Sequence, residues 1–176
     1  MTFAWWPLVV WQAALDYWTA PALIAEEAHP QDAARLADIH LAAFPGAPWS
    51  VDDLAALLRE ETVFGLVARR ANVFGTRLAV GFVLVRSVAG EAEILTLAVD
   101  PGHRRRGVAL ALMETAMRRL YGDRVEALFL EVDAGNLAAV SLYRRLKFRV
   151  VGERRGYYVH GSVAGATALV MRSDLR

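Results

Sequence analysis

The chain has 176 residues, 56% of them hydrophobic, and a formal net charge of +1. That is enough apolar material for one domain with its own core, and it excludes a disordered chain. Acids and bases are scattered, so no broad field for nucleic acid or an anionic membrane arises, and the absence of cysteine removes disulfides, thiolate metal sites and an acyl-cysteine intermediate.

Residues 1–21 read as an aromatic-rich N-terminal extension carrying Trp5, Trp6, Trp11 and Trp18 together with Phe3 and Tyr17. The run Thr2 to Ala25 holds one charged residue, Asp16, and is long enough to span a bilayer. Against a span, Asp16 would cost about 2.5–3.5 kcal/mol at the bilayer centre, Pro7 and Pro21 break a helix, and no basic residue flanks it before Arg35. A signal peptide is not expected either, since the basic start and small-residue cleavage site are missing. Over residues 8–19, Gln12, Asp16 and Thr19 share one helical face and leave a wide apolar face opposite. The expected cover is the chain's own domain or a partner subunit, with a membrane-surface helix as the alternative.

Regular globular patterning begins at Ala22 and defines a second unit, residues 22–176. Ala22 to Glu27 predicts a strand, and Pro30 to Ala43 a helix with Ala34, Leu36, Ile39 and Leu41 apolar. Pro45-Gly46-Ala47-Pro48 forces a loop, and Ser50 with Asp53 resembles a capping box that starts a helix to about Glu61. Val63–Arg70, Arg77–Val88 and Glu91–Val99 predict an antiparallel meander, with a bulge at Gly81. Asp100-Pro101-Gly102 ends the last of these strands, and a helix runs from Val108 to about Tyr121, stopping at Gly122. A strand over Val125–Val132, a helix over Asn136–Leu146 and closing strands over Arg149–Glu153 and Ala166–Arg172 complete the chain. The order β-α-α-β-β-β-α-β-α-β-β is that of an α+β fold with a mixed, mostly antiparallel sheet.

The helix launched at Val108 comes straight off a strand end. Its first-turn N–H groups have no intrahelical partner and carry partial positive charge, so the spacing Arg104-x-x-Gly107-x-Ala109 suits an anion cradle, a pyrophosphate for example. A basic turn capping a strand is the plainer alternative. Glu131 stands at a strand end, and Asn136 and Tyr143, two helical turns apart, are expected to share a face. A surface acid and a core aromatic are the plainer readings of Glu131 and Tyr143. His29, His40, His103 and His160 have no metal spacing and read as surface or turn residues, and no metal site is expected. Glu91 and Glu93 alternate along a strand toward solvent.

Leu97-Ala98-Val99-Asp100-Pro101 with Arg104-x-x-Gly107-x-Ala109, Leu130-Glu131-Val132 with Asn136 and Leu142-Tyr143, and Arg154-Arg155-Gly156-Tyr157-Tyr158 together resemble the GNAT superfamily of acetyl-CoA-dependent N-acetyltransferases. The resemblance runs from about Ala22 to Leu175 and is nearest the ribosomal-protein alanine (RimI) type, with Ala43-Phe44-Pro45 and Pro48-Trp49-Ser50 as an earlier match. It implies the GNAT fold, with strands splayed at the acetyl-CoA site. It also implies that the backbone of His103, Arg104, Arg105, Arg106, Gly107, Val108 and Ala109 holds the pyrophosphate of acetyl-CoA. Leu97, Ala98 and Val99 would then pair with the pantetheine arm, which Asn136 would also bind. By the same resemblance Glu131 is general base toward the amine, through water, and Tyr143 is the acid that protonates the leaving thiolate. Tyr157 and Tyr158 either border the peptide entrance or pack in a closing strand.

These roles suit the chemistry: an α-amine, with a reference pKa of about 8, is mostly charged at neutral pH and must lose a proton before it attacks. With no cysteine for a covalent route, direct attack within a ternary complex is the economical mechanism. A cytoplasmic enzyme acting on a protein N-terminus, as monomer or homodimer, goes with this picture. The sequence departs from the pattern at Gly135, where Ser is usual, and at Lys147, which replaces a Gly before Phe148. Ala164 to Ala168 also lacks the usual acidic residues, and Gly46-Ala47-Pro48 lengthens a loop; both regions border the acceptor site in the family. Two other readings therefore stay open, a GNAT acting on a small amine such as a polyamine, amino acid or antibiotic, and a non-catalytic acyl-CoA-binding or scaffolding protein.

Overall fold

The computed structural model describes residues 23–71, 77–154 and 167–176. The expectations for residues 1–21 and for Tyr157, Tyr158 and His160 lie outside the described residues. Strand β1 is Leu23–Glu27; a 3-10 turn, Pro30–Asp32, leads into helix α1, Ala33–Ala43; helix α2 is Val51–Leu57. Strands β2, Val63–Ala71, β3, Arg77–Val88, and β4, Glu91–Val99, follow. After a second 3-10 turn, Pro101–His103, come helix α3, Val108–Gly122, strand β5, Ala127–Asp133, helix α4, Leu137–Arg145, and strands β6, Arg149–Arg154, and β7, Ala168–Asp174. This is the expected element order.

The strands form one sheet in the order β1-β2-β3-β4-β5-β7-β6, and β4 with β5 is its one parallel pair among the described residues. Each face carries its own core. On one face Leu112, Met113, Ala116 and Leu120 of α3 and Val140 and Tyr143 of α4 meet Val83, Val85, Leu128 and Leu130. On the other, Leu36 and Ile39 of α1 and Leu54 of α2 meet Phe82, Leu84 and Ala98. Two bulges keep both faces apolar. The register shifts opposite Ala68/Arg69, leaving Val80 as the extra residue beside the expected position Gly81. It shifts again opposite Leu84/Val85, leaving Leu95 extra in β4. The second bulge resets the alternation, so that Ala92, Ile94, Leu97 and Val99 all lie on the α3 face while Leu95 and Ala98 face α1.

Helix ends follow local chemistry. Ser50 caps α2, its Oγ accepting from Asp53 N–H at 3.1 Å while Asp53 Oδ2 accepts from Ser50 N–H at 2.9 Å. The helix stops at Leu57 rather than near Glu61, because Arg59 N–H and Glu60 N–H turn to i−3 carbonyls and Leu58 folds onto Gly65, where a Cβ would meet Leu58 Cδ2 at 2.7 Å. Helix α4 ends in a Schellman motif: Phe148 N–H donates to Tyr143 O at 2.9 Å and Lys147 N–H to Arg144 O at 3.0 Å, with the Tyr143 and Phe148 rings 5.7 Å apart. Lys147 holds the left-handed position at φ +68°, which explains why a glycine is usual there. Lys147→Gly is therefore expected to stabilise the fold by about 1 kcal/mol, read as a higher urea midpoint at unchanged slope.

Candidate active site

Strands β4 and β5 pair only over Glu91–Glu93 and Ala127–Phe129. Beyond the Leu95 bulge they part: β4 continues on β3 to Val99, while β5 continues on β7 to Asp133. The gap between them therefore has the edge of Leu97, Ala98 and Val99 on one side and Leu130 to Asp133 on the other. An extended ligand laid along it meets backbone groups that have no sheet partner across the gap.

At the open end of the gap α3 begins. Its cap is Gly107 at φ +79°, with no side-chain cap bond, and a Cβ there would meet nothing within 4 Å. Arg105 also takes a left-handed conformation, φ +61°, so the chain from His103 to Gly107 curls around the helix start. Arg104, Arg105, Arg106 and Gly107 are exposed, while Val108 is buried and anchors the turn. Close packing behind the turn depends on Gly81, whose Cβ would lie 2.9 Å from Val108 Cγ1 and 3.0 Å from Ala98 O. The result is an exposed, positively charged turn whose helix N–H groups are not taken by any cap side chain, which is the chemistry of an anion site.

Glu131 lies on β5 between Leu130 and Val132, which both face the α3 core. Strand alternation puts its carboxylate on the opposite face, that of α1 and α2. Arg154 Nη1 at the end of β6 reaches Glu131 Oε1 at 3.1 Å, and the Glu131 side chain is 21% exposed. Tyr143 is 7% exposed on the α3 face, so base and acid candidates flank the gap from opposite sides. Asn136 departs from the expected geometry. It is the cap of α4, its Oδ1 accepting from Ala139 N–H at 3.1 Å, and it is exposed whereas Tyr143 is buried.

The sequence matches the acetyltransferase (GNAT) family over residues 33–148. The chain belongs to this family. It is 35% identical over 151 residues to an N-alpha-acetyltransferase RimI of Mycobacterium tuberculosis, an alignment covering 81% of this chain and 87% of that one. To a ribosomal protein bS18-alanine N-acetyltransferase of Escherichia coli K12 it is 40% identical over 77 residues, 44% of this chain and 52% of the relative. In that alignment the chain spans about half the length of the relative. The crystal structure of the ribosomal-protein-S18-alanine N-acetyltransferase from Escherichia coli superimposes with a TM-score of 0.77 at 26% identity, over 88% of this chain and 94% of that one.

Three residues around the candidate site were not legible as such in the sequence. Arg35 of α1 donates to Ala79 O from Nη2 at 3.1 Å and to Asp100 Oδ2 at 3.0 Å, tying the first helix to the turn that launches α3. Arg154 is the ion-pair partner of Glu131. His40, expected at the surface, is instead 3% exposed, because α1 turns it into the core formed with Phe82 and Trp49. Of the other histidines, His29 is exposed as expected, while His103 buries its Nδ1 and approaches Asp100 Oδ1 at 3.7 Å. Among the described residues no group of His, Asp and Glu could hold a metal, and no helix is long and apolar enough to cross a membrane.

Burial works to raise the Asp100 carboxyl, but the Gly102 N–H, the Arg35 guanidinium and His103 together hold it below the ordinary carboxylate value. A depressed pKa stabilises the fold above the unfolded value, about 3.9, and that stabilisation is lost as pH falls through the lower folded value. Thermal melts of the wild type and Asp100→Asn are therefore expected to differ most near neutrality and to converge below about pH 4.

Proposed function

We propose that the chain is an acetyl-CoA-dependent N-α-acetyltransferase of the RimI type, acting in the cytoplasm on a protein N-terminus that begins with alanine, such as that of a ribosomal protein. The observation that carries this reading is the placement of Glu131 and of the α3 turn on opposite faces of the sheet, on either side of the β4–β5 gap. The likeness to relatives named N-alpha-acetyltransferase RimI and bS18-alanine N-acetyltransferase supports the acceptor class.

In this reading the residues from His103 to Ala109 hold the pyrophosphate, the Gly107 position leaving room for close approach. The backbone of Leu97, Ala98 and Val99 pairs with the pantetheine arm, and Asn136, its Oδ1 committed to the cap, offers Nδ2 as the donor to the same arm. The acetyl thioester then lies in the gap. The amine approaches from the α1–α2 face, where Glu131, held by Arg154 through Oε1, takes its proton through water. The neutral amine nitrogen bonds to the acetyl carbonyl carbon and gives its second proton to water, the carbon–sulfur bond breaks, and the Tyr143 hydroxyl gives its proton to the departing sulfur, while Glu131 passes the proton it took to solvent. Tyr143 recovers a proton from solvent. Tyr157 and Tyr158 border the peptide entrance.

Purified protein with acetyl-CoA is expected to release thiol when given an alanine-starting peptide and to remain silent with polyamines, free amino acids and aminoglycosides. Turnover with a small amine and none with any peptide would replace this acceptor; binding of acetyl-CoA with no turnover on either class would leave a non-catalytic acyl-CoA-binding protein.

A further inference from the structure

His40 occupies a position that neither cofactor binding nor proton transfer explains. It sits near the C-terminal end of α1, 3% exposed, with its ring 5.0 Å from the Trp49 indole and nearly parallel to it. Phe44 closes one side at 4.8 Å, and Phe82 of β3 lies beneath at 6.3 Å. Nδ1 accepts the Trp49 backbone N–H at 3.1 Å. The imidazole is therefore the neutral tautomer protonated at Nε2. Residues 44–50 connect α1 to α2 and include the Gly46-Ala47-Pro48 lengthening. Two contacts, one hydrogen bond and one stack, tie the far end of that loop back to His40.

The loop lies on the functional side of the sheet. Trp49 packs in the same core as Leu95, the bulge residue where β4 leaves β5, and Ala98, on the edge of the gap. That core is on the face to which Glu131 points, whereas the α3 turn belongs to the other. We propose that His40 is a positioning residue for the acceptor, whose neutral ring holds the α1–α2 loop in the shape that the incoming α-amine and its first residues meet. The inference rests on the acyl-transfer reading above.

The arrangement has a pH consequence. Burial of the ring lowers the His40 pKa from its ordinary value. Its ring neighbours Phe44, Trp49 and Phe82 carry no charge. Among the described residues, the charged groups of the packed elements pair elsewhere or make no ion pair with it: Arg35 bonds Asp100, Asp32 pairs with Arg69, Asp53 bonds Ser50, Arg77 and Arg86 pair with Glu26 and Glu60, and Asp38, Asp52, Glu91 and Glu93 form none. As pH falls through the lowered value, Nδ1 takes a proton, can no longer accept from Trp49, and the loop is released.

The test is the acceptor KM, the acetyl-CoA KM and kcat of wild type, His40→Asn and His40→Phe, measured from about pH 8 down to about pH 4.5, a range that extends well below the reference histidine value of about 6.5 because burial lowers that of His40. Asn keeps an acceptor oxygen near the place of Nδ1 and does not titrate; Phe keeps the packing and removes the acceptor. The wild-type acceptor KM is expected to rise in acid relative to His40→Asn, and that of His40→Phe to be raised about three- to tenfold at every pH, the size of one lost hydrogen bond. The acetyl-CoA KM should not follow either change. Should either variant fail to fold, the imidazole resonances of wild-type His40 and the Trp49 amide shift provide the second readout, and they are expected to titrate together. An acceptor KM that is equally pH-dependent in wild type and His40→Asn, or a Trp49 amide that ignores His40 titration, overturns the inference while leaving the enzyme reading intact. A wild type with no turnover on any amine overturns the reading itself and the inference with it.

Discussion

Replacing Glu131 with glutamine is expected to lower kcat by about 10²–10⁴-fold, the usual contribution of a general base. Glutamine preserves the volume and an oxygen for Arg154 Nη1 but cannot take the proton of an ammonium group. The defect should therefore be specific: an unchanged acetyl-CoA KM, unchanged melting, and partial recovery above about pH 8, where the α-amine loses its own proton. Tyr143→Phe tests the other face in the same assay. It keeps the ring contact with Phe148 that closes the α4 Schellman motif, so a fall in kcat at constant stability isolates the hydroxyl. Unchanged turnover in both variants would mean that these residues are a surface acid and a core aromatic.

Gly107→Val is expected to act on cofactor binding rather than on turnover. The left-handed φ of +79° is costly for any residue with a Cβ, about 1–2 kcal/mol, and more for a β-branched one. No described protein atom lies within 4 Å of the added Cβ, so strain is the whole structural cost. A pyrophosphate seated on the helix start would meet the new side chain. The acetyl-CoA KM should rise by at least about tenfold, equivalent to 1.4 kcal/mol, with kcat at saturation largely kept. A variant that melts earlier yet binds acetyl-CoA as tightly as wild type would remove the phosphate from this turn.

What could be read from the sequence was what local chemistry controls. The α3 turn was legible because a strand, a Pro-Gly turn and a glycine-started helix follow one another within about a dozen residues. Glu131 and Tyr143 were singled out by the resemblance alone, and strand and helix alternation then gave the faces on which they lie. Contacts between distant segments were not. Arg35 and Asp100 are 65 residues apart, and nothing in either neighbourhood marks the pair. His40 looked like a surface histidine because its burial depends on Phe82 and Trp49 coming from β3 and a loop. The short α2 was misjudged because its polar continuation, Arg59 to Glu61, has the composition of a helix but must turn to deliver β2. Asn136 was read as a helix-face residue when its type, an N-cap former, already favoured the cap.

The central claim is transfer to a protein α-amine. The most direct measurement is mass spectrometry of protein N-termini in cells with and without the gene, with a Glu131→Gln copy as the complementation control. The account predicts that one or a few alanine-starting N-termini lose acetylation when the gene is absent and regain it with the wild-type copy but not with the variant. An N-terminal acetylation profile that does not change in any of these cells would contradict it.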